Sequence, residues 1–75
     1  MLRLESGVEV PISSLMRFKS DPEFPNWDEM YAGKLVLLVG EEWMPDINDY
    51  LYIVLVDGKL MYCERTDFDE EHYTG

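Results

Sequence analysis

The middle of the chain, Lys34 to Cys63, constrains the fold most. It reads KLVLLVG, then a polar loop, then YLYIVLV, DG and KLMYC. Tyr50 to Val56 is rich in β-branched and aromatic residues, which suit a pleated, half-buried surface. Asp57-Gly58 follows at once. Asp-Gly between two such runs predicts a hairpin, because a type I′ turn needs positive φ at both central positions. The return strand, Lys59 to Cys63, alternates Lys59, Met61 and Cys63 with Leu60 and Tyr62. Neither set is purely polar, so both faces are expected to be partly covered. Lys34 to Val39, bounded by Gly33 and Gly40, is too short for a buried helix and predicts a strand buried on both sides.

The flanks are read from period and punctuation. Leu2, Leu4, Val8 and Val10 share a parity, which predicts a strand pattern with Ser6-Gly7 in its middle. That pair is either the turn of a small hairpin, Leu2–Leu4 against Val8–Val10, or a bulge in one longer strand. Pro11 ends the pairing. Ile12, Leu15, Met16 and Lys19 are spaced three and four apart, which predicts a short helix capped by Ser13 or Ser14. A strand with Leu15, Arg17 and Lys19 on one face is the alternative. Pro22 and Pro25 break the next stretch. Asn26 then caps a single helical turn that puts Trp27, Met30 and Tyr31 on one side, as a lid over the end of the core. Glu41 to Asp49, EEWMPDIND, reads as the longest loop. Its Trp43 and Met44 either plug the core or stay out as a contact site. Near the end, Asp67-Phe68 reads as a turn whose Phe68 anchors inward. Asp69, Glu70 and Glu71 open a frayed acidic tail.

Length and charge limit what such a chain does. Seventy-five residues make one domain, and a domain this small buries only about 60% of the surface its unfolded chain exposes. A deep substrate cavity is not expected. The segments are 1–32, a hairpin and helix; 33–68, the core; and 69–75, the tail. The net charge is −10, from 16 acids and 6 bases. That excludes direct nucleic-acid binding, which needs Lys and Arg to displace counterions, and binding to an anionic membrane. It suits a basic protein partner, a multivalent cation, or simply solubility. Cys63 is the lone cysteine, so no disulfide within the chain is expected and a reducing compartment is. Met1 to Val10 has no signal-peptide pattern, and no apolar run reaches the ~20 residues of a membrane-spanning helix. The expected location is the cytoplasm.

From Gly33 onward the order of parts is familiar. A glycine opens an aliphatic strand (Gly33-Lys34-Leu35-Val36). A polar loop follows, then the hairpin Tyr52 to Lys59, then Asp67-Phe68. This resembles the Src-homology-3-like small barrels that tailed bacteriophages encode as short accessory proteins. The resemblance spans about residues 33–68. It departs from the usual pattern at Lys34, where an acid is common, and it does not reach the first 30 residues. It implies a mainly β, minor α fold: a five-stranded antiparallel barrel with one short N-terminal helix or helical turn. It implies binding, not catalysis, and a working place in the host cytoplasm.

Catalytic and metal patterns are not expected. His72 stands three residues from the end, where an imidazole lacks the fixed orientation catalysis needs. Cys63 lies among apolar residues, where a thiol is inert unless a cation lowers its pKa; Arg65 is the one candidate. The acids Asp46 and Asp49, and Asp67, Asp69, Glu70 and Glu71, lack the alternation and central glycine of a calcium loop. One Cys and one His make no zinc site. No cofactor is expected. Four readings of function follow. A non-enzymatic module grips a basic protein through Glu41, Glu42, Trp43, Met44, Asp46 and Asp49, with Trp27 and Tyr31 extending the surface. An acidic mimic of nucleic acid inhibits a host enzyme. A virion or assembly component self-associates. An enzyme is the last and least supported.

Overall fold

The computed structural model describes residues 1–70. Six strands and one helix follow in order: β1 Leu2–Arg3, β2 Glu9–Val10, β3 Leu15–Arg17, α1 Pro25–Tyr31, β4 Leu35–Met44, β5 Asp49–Val56 and β6 Lys59–Cys63; a 3-10 turn, Arg65–Asp67, comes last. The fold is mainly β. Two antiparallel sheets form, β1-β2 and β3-β4-β5-β6. The expected five-stranded barrel is therefore corrected: among the described residues there are six strands, and no ladder closes the larger sheet on itself.

The N-terminal pattern resolves as the hairpin, with Leu2 opposite Val10 and Arg3 opposite Glu9. Gly7 takes φ +92° in its turn. Leu2, Leu4 and Val10 are buried, while Val8 is exposed. The expected helix over Ile12–Ser20 is overturned in favour of its alternative. Residues 15–17 are a strand paired with β4, Met16 opposite Val36. Met16 and Phe18 point in, and Leu15 and Arg17 point out. A period of two fits that burial, and only long-range pairing with β4 decides it.

β4 also departs from expectation. It is buried on one face only: Val36 and Leu38 are covered, while Leu35 and Val39 are exposed. It runs ten residues, so Glu41 to Met44 are strand rather than loop. The connection to β5 shrinks to Pro45–Asn48. A register shift between Leu38 and Gly40 leaves Val39 as an extra residue. This bulge reverses the parity of β4: even residues face the core before it and odd residues after it.

The hairpin at Asp57-Gly58 forms as expected, with φ of 50° and 77°, both positive as a type I′ turn requires. The Lys34 ammonium pairs with Asp57 and ties the turn to the start of β4. Gly58→Ala places a Cβ in the left-handed region, so it should cost about 1–2 kcal/mol in urea unfolding. A loss below about 0.3 kcal/mol would mean that the turn relaxes into another type.

Helix α1 starts at Pro25, preset in φ for a first helical position. Phe24, not Asn26, holds the cap position, and no side chain caps the helix. Asp28 fastens the preceding segment, accepting from Ser20 Oγ at 2.8 Å and from the Asp21 backbone N–H at 2.7 Å. Trp27 and Tyr31, four apart, turn onto the core as a lid. Met30 does not join them and is exposed.

One core cluster takes Leu2, Val10 and Phe18 from the front of the chain and Tyr52, Cys63 and Phe68 from the back. Phe68 is buried as expected, bridging to Phe18. The Lys19 N–H donates to Asp67 and the Asp69 N–H to Arg17, so residues 67–69 line the free edge of β3. Glu70 accepts from the Ser6 N–H at 3.0 Å. The chain is thus anchored at 69–70, where a free tail was expected. Glu71 and His72 to Gly75, the rest of that expected tail, lie outside the described residues.

Candidate functional site

The reversed parity after the bulge decides where the predicted residues go. Trp43 lies opposite Tyr50, and Glu41 opposite Tyr52, on one side of the sheet. Glu42 and Met44 lie on the other side, opposite Leu51 and Asp49. Trp43 neither plugs the core nor stands alone. Its ring meets Tyr50 edge-on at 5.1 Å, and 48% of it remains exposed. Asn48 turns the chain with φ +53°, a conformation Asn tolerates. Exposed Ile47 and Asp46 sit in that turn.

Most of the predicted acids here have partners. Glu41 pairs with the Met1 amino group at 2.6 Å. Asp49 accepts the Tyr50 N–H at 2.7 Å and pairs with Arg65. The Tyr50 N–H above all, with the Arg65 guanidinium adding to it, holds the Asp49 carboxyl below its ordinary value. The Glu42 carboxylate accepts the Tyr62 hydroxyl and pushes that phenol up.

Beside the Trp43–Tyr50 pair lies an open cleft of about 370 Å³, lined by Glu5, Ile47, Asp49, Tyr50, Glu64 and Arg65. Reading the sequence did not find Tyr50, Glu5 or Glu64 as members of this group. Tyr50 was findable from cross-strand register; Glu5 and Glu64 come from distant turns and had no local signal. The cleft presents three carboxylates, of which Asp49 is paired with the one guanidinium, and the ring of Tyr50. Chemically it suits a cationic side chain, which gains from the carboxylates and from the ring face.

Trp27 and Tyr31 do not reach this site. Ring contacts run from Trp43 through Tyr50, Tyr52, Phe68 and Phe18 to Trp27, so the lid lies at the far end of that string. Trp27 Nε1 donates to the Lys19 carbonyl at 3.1 Å, which fixes it in place. Another cleft, about 580 Å³, lies beside the lid against β6 and contains the Lys34–Asp57 pair.

Arg65, the cation that the sequence offered for activating Cys63, is engaged by Asp49. Burial, helped by the charges of Asp67 and Glu64, pushes the Cys63 thiol up to about 12. It is a packing residue at neutral pH. Among the described residues, no group of three His, Cys, Asp or Glu is placed to hold a metal ion, and no charged side chain is buried. No helix among them is long and apolar enough to cross a membrane. Comparison of the chain with protein-family models, with curated proteins and with solved structures finds no match.

Proposed function

We propose that this chain is a small, acidic, non-enzymatic interaction module that captures a basic protein at the tip of the β4–β5 hairpin. The observation that carries this reading is Trp43, half exposed on Tyr50 beside the cleft rimmed by Glu5, Asp49 and Glu64. An indole braced by a second ring is an anchor that loses little freedom on binding. The charge of −10 draws a cationic partner in over distance. The strand, hairpin and turn order of residues 33–68 supports reading the fold as an opened variant of the phage Src-homology-3-like barrels, with a place of action in the host cytoplasm.

The alternative of a nucleic-acid mimic that inhibits a host enzyme has less to support it. Glu9, Glu41, Asp49 and Asp57 are engaged in ion pairs within the chain, which leaves a less regular array of charge to imitate phosphates.

Titration with a fluorescent peptide rich in Arg and Lys tests the proposal. Affinity should fall as salt rises from about 50 to about 300 mM, because screening weakens exposed charge pairs. Trp43→Ala should weaken binding about tenfold while lowering the melting temperature by less than about 4 °C, since a half-exposed ring holds little of the core. Equal losses in both measurements would make Trp43 a structural residue, and no binding at low salt would remove the reading.

A further inference from the structure

Among the described residues, nothing covers the outer, apolar face of the four-stranded sheet. Register puts Leu35, Leu37 and Leu55 on one side of it with Leu15, Leu60 and Tyr62. Leu15 is 58% exposed, Leu35 52%, Leu60 67% and Tyr62 53%. With their partly covered neighbours they leave an apolar surface on the order of 600 Å², at the upper limit for a patch on a stable monomer. Two such faces together come to about 1,200 Å², the lower bound of stable specific interfaces.

Charge on this face indicates what covers it. The chain carries −10 overall, yet between Arg17 and Glu42 the strand positions of this face hold no charged residue. Arg17 sits opposite Leu35 at one end, its guanidinium donating to the Gly33 carbonyl at 2.8 Å with Asp69 beside it. Glu42 sits opposite Leu51, seven positions along β4, roughly 20 Å away at the rise of a strand. The face is therefore apolar in the middle, with a guanidinium at one end and a carboxylate at the other. That pattern is complementary to itself when turned over about a two-fold axis lying across the strands.

We propose that a second copy of this chain covers the face. The two sheets stack about 10 Å apart as a sandwich with strands within about 30° of each other. Arg17 of each copy then lies over Glu42 of the other, and the leucines interdigitate between. The Trp43–Tyr50 pair stays on the opposite side of the sheet, so this dimer and capture of a basic peptide are separate properties that succeed or fail independently.

Salt separates the two at once. Each copy carries the same large negative charge, and its repulsion is long-range and screened by salt. Dimerisation should therefore strengthen with salt, opposite to the capture of a cation.

Sedimentation velocity on the whole chain is the test. At about 100 µM in about 500 mM salt, a concentration fitting an interface of this size, the protein should run at twice its 8.8 kDa mass. Leu55→Lys should make it a monomer. Leu60→Lys, at the edge strand, should weaken the dimer at least about tenfold by burying an unpaired charge with no risk to the core. Far-UV circular dichroism checks that each variant keeps its strands. The charge exchange is decisive. Arg17→Glu and Glu42→Arg should each weaken the dimer about fivefold, and the double exchange should restore it to within about twofold. Only a partner with the same face gives that rescue. A wild-type monomer under these conditions overturns the proposal. So does a dimer indifferent to Leu55→Lys and Leu60→Lys, or a double exchange as weak as the singles; any of these leaves the face to a different, apolar partner.

Discussion

Phe18→Ala should destabilise the chain by about 3–5 kcal/mol, as a buried ring cut to a methyl group does when its surroundings cannot collapse. Phe18 is fully buried. Its ring lies 4.9 Å from Trp27, 5.9 Å from Phe68 and 6.1 Å from Tyr31. These neighbours come from the helix and from the last turn, so the ring is where three parts of the chain meet. The backbone there is pinned as well: the Phe18 N–H donates to Lys34, and its carbonyl accepts from Gly33. The backbone cannot slide in to fill the hole.

A domain of this length has a total stability of roughly 4–11 kcal/mol. The melting temperature should therefore drop by about 15 °C or more. Phe24→Ala is the control. Phe24 is 61% exposed, and its loss should stay within about 0.5 kcal/mol. Urea unfolding followed by tryptophan emission reads both, because Trp27 covers Phe18 directly. A Phe18→Ala protein within about 1 kcal/mol of wild type would mean that the lid and the last turn hold the core without it.

What could be read from the sequence was what is local. Asp57-Gly58 carries its turn chemistry in two residues, so the β5–β6 hairpin was legible. Phe68 was legible as an anchor, being a lone aromatic among acids. The β4–β5 hairpin was not, because its pairing depends on a bulge at Val39, and Gly40 beside it reads equally as the end of a strand; the parity break then hid the Trp43–Tyr50 pair. Residues 15–17 were missed for a related reason. Ile12, Leu15, Met16 and Lys19 do fit a helical stripe, yet Ile12 and Leu15 are exposed, and only the ladder to β4 decides the strand.

The outer sheet face misled in a third way. An aliphatic run with both parities apolar was read as buried on both sides. Residues 1–70 cover one face of the four-stranded sheet and leave the other open. The sequence pattern was that of a buried strand, and among the described residues nothing buries its outer side.

Cys63 should make the protein progressively less stable in alkali, and Cys63→Ala should remove that dependence. The thiol is buried among apolar side chains, with Asp67 and Glu64 near enough to oppose its ionisation, and its pKa rises from an ordinary 9.0 to about 12. Because the folded value is the higher one, the unfolded chain releases the proton first. The stability tied to this group is whole below pH 9, then declines and is lost as the pH rises to about 12. The slope is about 1.4 kcal/mol per pH unit, which comes to about 4 kcal/mol over the whole window. Tyr52, raised chiefly by burial, acts in the same direction in both proteins and cancels in the difference between them. At pH 7 the alanine variant should be weaker by about 1 kcal/mol for its lost sulfur contacts. Near pH 10 the two urea curves should cross, and above it the variant should be the more stable. The same burial predicts that at pH 8 a thiol reagent labels Cys63 only as fast as the chain opens, because the folded thiolate fraction is about one in ten thousand. Labelling of the native protein at the rate of a free cysteine, or parallel stability curves from pH 7 to 11, would place the Cys63 sulfur in solvent and undo the packing of β6 on the core.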